Sequence, residues 1–192
     1  MRRSVERSPA RGTSPDNSLV DIRQGTTADA AAVAALHTRS WQTAYTGILP
    51  DGYLNGSLAD RQADLWRDRL AGGGAGRLLI ADAGEGVAGF AYLVPQEDRV
   101  LLDNLHVEPG LKRSGIGGAL LRHALDRAGT RELYLEVLKR NTTAIAFYER
   151  HGGTRAREFV ERFPEGFEVD VLEYYWSGIR SDTVPRRSSH AS

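Results

Sequence analysis

The sequence predicts a mixed α/β fold, in which about four helices flank a mostly antiparallel central sheet of about seven strands in the order βααβββαβαββ. Three observations support this prediction. Short apolar runs of strand-forming residues recur along the chain, and segments with helix caps separate some of them. Two pairs of runs are joined by short turns that contain glycine, as in hairpins. The chain has 192 residues, of which 41% are hydrophobic, and this suits one domain with a substantial core.

The first half of the chain predicts one strand, two helices and a hairpin. Thr26 with Asp29, and Ser57 with Asp60, have the spacing of capping boxes at the starts of helices. The glycines of Gly84-Glu85-Gly86 predict the hairpin turn. The predicted strands cover residues 20–23, 78–81 and 87–94, and the predicted helices cover residues 27–45 and 57–70.

The second half alternates strands with helices and ends in another hairpin. Asn141 is a residue type that favours a helix N-cap, and Gly152 and Gly153 provide the end of that helix. Pro164-Glu165-Gly166 predicts the turn of the final hairpin. The predicted strands cover residues 100–107, 132–138, 155–161 and 168–176, and the predicted helices cover residues 115–128 and 141–151.

The two ends of the chain differ in composition from the middle. Residues 1–18 and 179–192 are rich in arginine and serine and hold little apolar surface. Such segments cannot bury enough to offset the entropy cost of ordering them. We therefore predict a single domain over residues 19–178 between two disordered tails, of which the first is basic.

The overall composition excludes several classes of function. Lys plus Arg and Asp plus Glu number 25 each, so no overall field attracts nucleic acid or an anionic membrane. The absence of cysteine excludes disulfides, a thiol nucleophile and thiolate zinc sites. No apolar run is long enough to span a membrane, and the histidines have no metal-ligand spacing. We expect a cytoplasmic protein without a metal, nucleic-acid or membrane partner.

A glycine-rich turn between a predicted strand and helix is the strongest chemical signal in the chain. Lys112-Arg113-Ser114-Gly115-Ile116-Gly117-Gly118 places backbone N–H groups at the positive end of a helix beside two cations, a pattern that binds phosphate or pyrophosphate. The nucleotide-triphosphate loop is rejected because Ile116 and Gly117 stand where it needs Lys and Ser or Thr. Leu120 at the third glycine position disfavours a dinucleotide fingerprint. An ordinary glycine-containing turn is the remaining alternative.

The same turn resembles the coenzyme-binding loop of the GNAT superfamily of N-acetyltransferases, with Lys112 where that family usually has Arg or Gln. Residues 133–153, including Asn141, Ala144 and Tyr148, resemble the family's next strand and helix. Residues 41–54 resemble its acceptor-side segment. The three blocks occur in the family's order, and the resemblance covers about residues 19–178. It implies the GNAT fold and the transfer of an acetyl group from acetyl-coenzyme A (acetyl-CoA) to a primary amine.

The resemblance also implies which residues bind the acyl donor. In the family, the pantetheine arm pairs with the backbone of the fourth strand where that strand separates from the fifth. A backbone N–H of the fourth strand polarises the carbonyl. The implied acetyl-CoA-binding residues are Leu105, His106, Val107, Lys112, Arg113, Ser114, Gly115, Ile116, Gly117, Gly118, Asn141 and Tyr148.

Two residues are the candidates for proton transfer. Tyr148 matches the family position of a general acid, and its hydroxyl carries a proton at neutral pH; the alternative is that it only packs in the core. Many members place a Glu early on the fourth strand, but Leu101 stands there and cannot accept a proton. Asp103 is the first choice of general base, with an ordered water chain as the alternative. Alternation along the strand predicts Asp103 on one face and His106 on the other.

Three aromatic residues are the candidates for binding the acceptor. Trp41, Tyr45 and Tyr53 flank the acceptor-side segment, where their rings could hold an ammonium group or an apolar amine. The alternative for Trp41 is a buried helix residue. We expect a monomer or homodimer that acetylates a small-molecule amine by direct attack in a ternary complex. The alternatives are acetylation of a protein N-terminus or lysine, and a non-catalytic acyl-CoA-binding module.

Overall fold

The computed structural model describes residues 20–84 and 86–178. The two predicted tails, residues 1–18 and 179–192, lie outside these residues. Within the described part, seven strands form one open sheet and five helices pack against it. The predicted α/β class and the order of the elements are thus confirmed.

The strands agree with their predicted bounds to within one residue at either end. They are β1 (Asp21–Gln24), β2 (Arg77–Asp82), β3 (Val87–Pro95), β4 (Arg99–Val107), β5 (Glu132–Leu138), β6 (Thr154–Arg162) and β7 (Glu168–Trp176). Their order in the sheet is β1-β2-β3-β4-β5-β7-β6. Neighbouring strands are antiparallel except β4 and β5, which run parallel.

The helices include one short element that the sequence pattern does not predict. They are α1 (Ala30–Tyr45), α2 (Asp51–Asn55), α3 (Leu58–Ala71), α4 (Ile116–Ala128) and α5 (Thr142–Arg150). The five residues of α2 make little more than one turn, which is too short to display a helical period. No helix in residues 20–84 and 86–178 is both long enough and apolar enough to span a membrane.

Only one of the two predicted capping boxes forms. Thr26 and Asp29 cap the 3-10 turn that leads into α1, and the Thr26 backbone N–H donates to the Asp29 carboxylate at 2.7 Å. The box predicted at Ser57 is wrong, because its side chain does not cap α3 and its Oγ instead accepts from Arg61 at 2.8 Å.

Helices cover both faces of the sheet, and each face has its own apolar core. On one face, Leu36 of α1 and Trp66 of α3 pack against Phe90 of β3. On the other face, Leu120 and Leu121 of α4 are fully buried against the sheet, and α5 packs beside them. We call these the α1–α3 face and the α4 face.

The strands β4 and β5 are joined at one end only. Residues 99–101 of β4 pair with residues 132–134 of β5. Beyond these residues, β3 is the only strand that pairs with β4 within the described chain. We call the gap beside residues 102–107 of β4 the β4–β5 cleft. Backbone N–H and C=O groups that border such a gap can bind an extended ligand, as the predicted pantetheine contacts require.

A β-bulge interrupts β4 beside this cleft. Tyr92 of β3 pairs with Asn104, and Leu93 pairs with Leu102, so Asp103 is the extra residue. The bulge shifts the alternation of all later side chains of β4 by one position.

The prediction that Asp103 and His106 lie on opposite faces is therefore wrong. The Asp103 carboxylate contacts Arg69 of α3, and the His106 ring contacts Ser40 of α1. Both side chains thus lie on the α1–α3 face, because the bulge inserts one residue between them.

Candidate active site

The phosphate loop, residues 108–115, connects β4 to α4 and has a constrained backbone. It contains a 3-10 turn at Pro109–Leu111, and the Ser114 hydroxyl donates to the Leu111 carbonyl at 2.6 Å. Arg113 has φ +69° and Gly115 has φ +88°, so two residues of the loop are left-handed. This conformation is uncommon for a side-chain-bearing residue, and successive N–H groups in such loops often form anion-binding concavities.

The first turn of α4 presents unpaired N–H groups next to this loop. The first helical hydrogen bond runs from the Ala119 N–H to the Gly115 carbonyl at 3.0 Å. The N–H groups of residues 116–118 therefore have no acceptor within the helix. Lys112 and Arg113 are exposed immediately before the turn. Cations and helix N–H groups together favour a bound anion.

Two glycines of this turn allow α5 to pack closely against α4. A Cβ added to Gly117 would lie 3.4 Å from the Phe147 ring, and one added to Gly118 would lie 3.1 Å from Nε2 of His151. A side chain at Gly118 would therefore require the His151 ring to shift, and one at Gly117 would lie directly against the Phe147 ring. The glycines therefore have a packing role in addition to exposing the backbone.

The predicted β4 contacts border the cleft. Leu105 and Val107 pack against the α4-face core. The His106 side chain points to the opposite face, where its Nδ1 lies 2.9 Å from Ser40 Oγ and burial lowers its pKa to about 3. Its ring centroid lies 4.5 Å from that of His37, whose pKa burial also lowers. Both imidazoles are neutral at physiological pH, and His106 anchors β4 to α1.

Tyr148 lies on α5 and packs in the α4-face core. Its side chain is 8% exposed, and its ring packs edge-on against Trp176 with centroids 6.0 Å apart. Burial, followed by the nearby Tyr45, raises the pKa of Tyr148. Among the described residues, its hydroxyl has no hydrogen-bond partner. The hydroxyl therefore keeps its proton at neutral pH and has that proton free to donate.

Asn141 and Tyr45 lie near Tyr148. The Asn141 side chain accepts from the Ala144 N–H at 3.2 Å, which confirms its predicted N-cap role. Burial raises the pKa of Tyr45 to about 12, and a hydrogen bond with Asn141 opposes the shift. The start of α5 and the end of α1 thus meet beside the candidate acid.

The three predicted acceptor aromatics form a row. The Trp41 ring centroid lies 5.2 Å from that of Tyr45 and 6.2 Å from that of Tyr53. The Arg61 guanidinium lies over the Tyr53 ring at 4.4 Å and pairs with Glu165 at 3.3 Å. A cationic acceptor at this ring would therefore compete with Arg61.

An open cavity of about 350 Å³ lies at the far end of this row, between α2, α3 and the β6–β7 turn. It combines aromatic and charged side chains. It is lined by Pro50, Gly52, Tyr53, Arg61, Glu165, Gly166 and Phe167. The row of rings connects this cavity with Tyr45, the neighbour of Tyr148.

Asp103 is engaged in an ion pair. Its carboxylate lies 2.6 Å from the Arg69 guanidinium and also accepts from Asn104 Nδ2 at 2.6 Å. Both side chains of the ion pair are 27% exposed. The carboxylate of Asp103 is thus already occupied by a guanidinium and an amide donor.

Glu136 on β5 is a second carboxylate that the sequence-based reasoning missed. Burial raises its pKa, and the negative charges of Glu161, Glu173 and Asp103 add to the effect. Arg157 opposes the shift from 3.7 Å away. A single glutamate in a strand of alternating residues predicts only a side chain that faces solvent. The sequence therefore contained no signal for Glu136 as a base, apart from its place on the strand that borders the cleft.

The family assignment follows from residues 35–153, which match the model of the acetyltransferase (GNAT) family. The chain belongs to this family. The matched region contains β4, the phosphate loop, α4, β5 and α5. The predicted family, the GNAT fold and the acetyl-CoA-dependent acetyltransferase activity are thereby confirmed.

Individual relatives agree with this GNAT assignment. The protein named "Probable N-acetyltransferase Rv2775" of Mycobacterium tuberculosis is 28% identical over 88% of this chain and 91% of its own length. The ribosomal protein bS18-alanine N-acetyltransferase of Escherichia coli is 40% identical over 36% of this chain, and the match spans 49% of that enzyme. The PaiA N-acetyltransferase of Thermoplasma acidophilum, solved with coenzyme A, has the same fold at a TM-score of 0.65, with 21% identity over 81% of this chain and 98% of the other.

A charged side chain in the first turn of α4 should impair donor binding by this GNAT domain. Gly117→Glu would place a carboxylate at the N–H groups of that turn and crowd Phe147. We expect at least tenfold weaker coenzyme A binding by calorimetry, a loss of about 1.4 kcal/mol. Gly74→Glu is a matched control, because Gly74 lies in an open loop with no atom near its Cβ position. Unchanged affinity in folded Gly117→Glu protein would contradict the assignment of the loop.

Proposed function

We propose that this enzyme acetylates the primary amine of a small molecule by direct attack on acetyl-CoA in a ternary complex. The parting of β4 and β5 beside the α4 N-terminus is the observation that carries the proposal. In this arrangement, the exposed N–H groups of residues 116–118 would hold the pyrophosphate, with Lys112 and Arg113 beside it. The β4 backbone at Leu105, His106 and Val107 would hold the arm that leads to the thioester.

Tyr148 is the proposed general acid. During transfer, the amine nitrogen bonds to the acetyl carbon as the carbon–sulfur bond breaks, and the departing thiolate requires a proton. The Tyr148 hydroxyl keeps its proton at neutral pH because burial raises its pKa, and it would donate that proton to the sulfur as the carbon–sulfur bond breaks. The phenolate left behind would regain a proton from solvent. Asn141 would contact the coenzyme arm while it caps α5.

We propose Glu136 as the general base in preference to Asp103. The amine must lose a proton before or during attack, and the acceptor of that proton works best with a pKa near the working pH. Burial and neighbouring carboxylates raise the pKa of Glu136 towards that range. Asp103, which the sequence favoured, pairs with Arg69 at 2.6 Å. Both carboxylates lie on strands that border the cleft, so substitution at each position can decide between them.

The proposed acceptor is a small amine that reaches the cleft along the aromatic row of Trp41, Tyr45 and Tyr53. A cavity of about 350 Å³ at the end of this row has the size of a small ligand. Carboxylates near the cleft favour an approaching ammonium ion. The bS18-alanine N-acetyltransferase supports a second candidate, the N-terminus of a protein, because its match to this chain is 40% identical. Monomer or homodimer formation and a cytoplasmic location stay predictions.

Thiol release from acetyl-CoA in the presence of an amine panel tests the proposed function. The panel should include polyamines, aminosugars, amino acids and short peptides with free N-termini, with mass spectrometry of each product. We expect turnover with at least one small amine and an acetylated nitrogen in its product. Turnover with peptides alone would favour the second candidate. Tight coenzyme binding without turnover on any amine would favour a non-catalytic acyl-CoA-binding module.

A further inference from the structure

A buried glutamate lies directly across the sheet from Glu136. Glu173 of β7 pairs with Glu136 of β5 in the antiparallel register, and its side chain is 5% exposed. Directly paired residues have Cβ atoms about 4.5–5.5 Å apart, and like charges at such positions repel. Two glutamates in this arrangement are costly unless other groups compensate for their charge.

Two arginines compensate for Glu173. Arg99 of β4 donates to one carboxylate oxygen at 3.0 Å, and Arg157 of β6 donates to the other at 2.8 Å. Arg157 reaches this position through an irregularity in β6, where the register shifts between Arg155 and Glu158. Charge-assisted hydrogen bonds from the two guanidinium groups thus hold the Glu173 carboxylate in place across from Glu136.

The charged groups around Glu136 come from the two strands beside β5 and from β6, the strand beyond β7. Glu173 lies on β7, Glu161 and Arg157 lie on β6, and Asp103 lies on β4. Arg157 is the only cation among these four, and it approaches Glu136 no closer than 3.7 Å while it donates to Glu173 at 2.8 Å. The nearest cation is thus occupied by the buried glutamate, and Glu136 experiences a predominantly negative environment.

We propose that Glu173, held in place by Arg99 and Arg157, is a positioning residue that keeps Glu136 ready to accept a proton from the acceptor amine. The proposal rests on the assignment of Glu136 as the general base. Glu173 does not contact the reacting atoms in this scheme. It acts in two ways, by repelling a second negative charge and by withdrawing Arg157 from Glu136.

Carboxyl NMR titration of the 13C-labelled full-length protein tests the proposal without relying on turnover. Glu136→Gln identifies the Glu136 signal by its loss. We expect Glu173→Gln to lower the apparent pKa of Glu136 by roughly one pH unit, since one charge is removed and Arg157 is released. Arg157→Gln should raise it, because a positive charge is lost. Arg157 is 59% exposed, so this variant should fold even if Glu173→Gln does not.

Two variants serve as controls for the titration. Glu168→Gln removes another glutamate of β7 that pairs with an arginine of β6, Arg162, but it is exposed and far along the strand. It should leave the Glu136 signal unchanged. Glu173→Asp keeps the carboxylate and should leave the pKa of Glu136 close to its wild-type value.

Three results would overturn the proposal. They are an unshifted Glu136 in folded Glu173→Gln protein, a downward shift in Arg157→Gln, or an equal shift in Glu168→Gln. Activity is measured separately, and the acidic limb of the kcat/KM profile should move in the same direction as the pKa of Glu136. If the NMR shifts occur but the pH–rate profile does not follow them, the electrostatic link holds and the assignment of Glu136 as the base fails.

Discussion

Tyr148→Phe is expected to lower kcat by roughly ten- to a thousand-fold while KM for acetyl-CoA changes little. The substitution keeps the ring and its edge-on contact with Trp176, and it removes only the hydroxyl. A proton donated to the departing thiolate acts in the transition state, so its loss should affect turnover more than donor binding. Steady-state kinetics with saturating acceptor measures both constants.

Tyr174→Phe is a matched control for the loss of a buried hydroxyl. Tyr174 packs in the same core, and its hydroxyl donates to Glu149 at 2.8 Å. Its replacement should cost about 1 kcal/mol of stability and leave kcat unchanged. Normal turnover by Tyr148→Phe would show that Tyr148 has only a packing role and that solvent provides the proton for the thiolate.

Glu136→Gln is expected to lower kcat/KM by about two to four orders of magnitude and to flatten the acidic limb of the pH–rate profile. The wild-type rate should rise with pH as Glu136 loses its proton, because only the ionised carboxylate can accept a proton from the amine. The raised pKa places this rise above the usual range of a glutamate. Measurements with one fixed acceptor keep the contribution of the amine constant.

Asp103→Asn provides the comparison that decides between the two carboxylates. It removes the ion pair with Arg69 and should reduce thermal stability, while the acidic limb persists. The reverse pattern, with a flat limb in Asp103→Asn and a normal one in Glu136→Gln, would establish Asp103 as the base. A persistent limb in both variants would indicate a water chain.

The sequence predicted most of the fold because each long element carries its own period, caps or turn residues. The phosphate loop was equally visible, since the glycines and cations that bind phosphate are adjacent in the chain. The bulge at Asp103 was not visible in the sequence, because one extra residue in a strand changes the direction of the side chains without changing the composition. Glu136 was missed for a related reason. Its raised pKa arises first from burial and then from the charges of Glu161, Glu173 and Asp103, and both exist only in the folded sheet.

The short junction between β4 and β5 has a consequence for how the molecule is held together. Among residues 20–84 and 86–178, strand pairing between the two halves of the sheet is limited to residues 99–101 and 132–134. A donor molecule that occupies the cleft would pair with the part of β4 that β5 leaves unpaired. It would thereby add contacts across this junction. A ligand that binds only the folded state stabilises it in proportion to the logarithm of its concentration. The stability of the folded enzyme would then rise with the concentration of its own acyl donor.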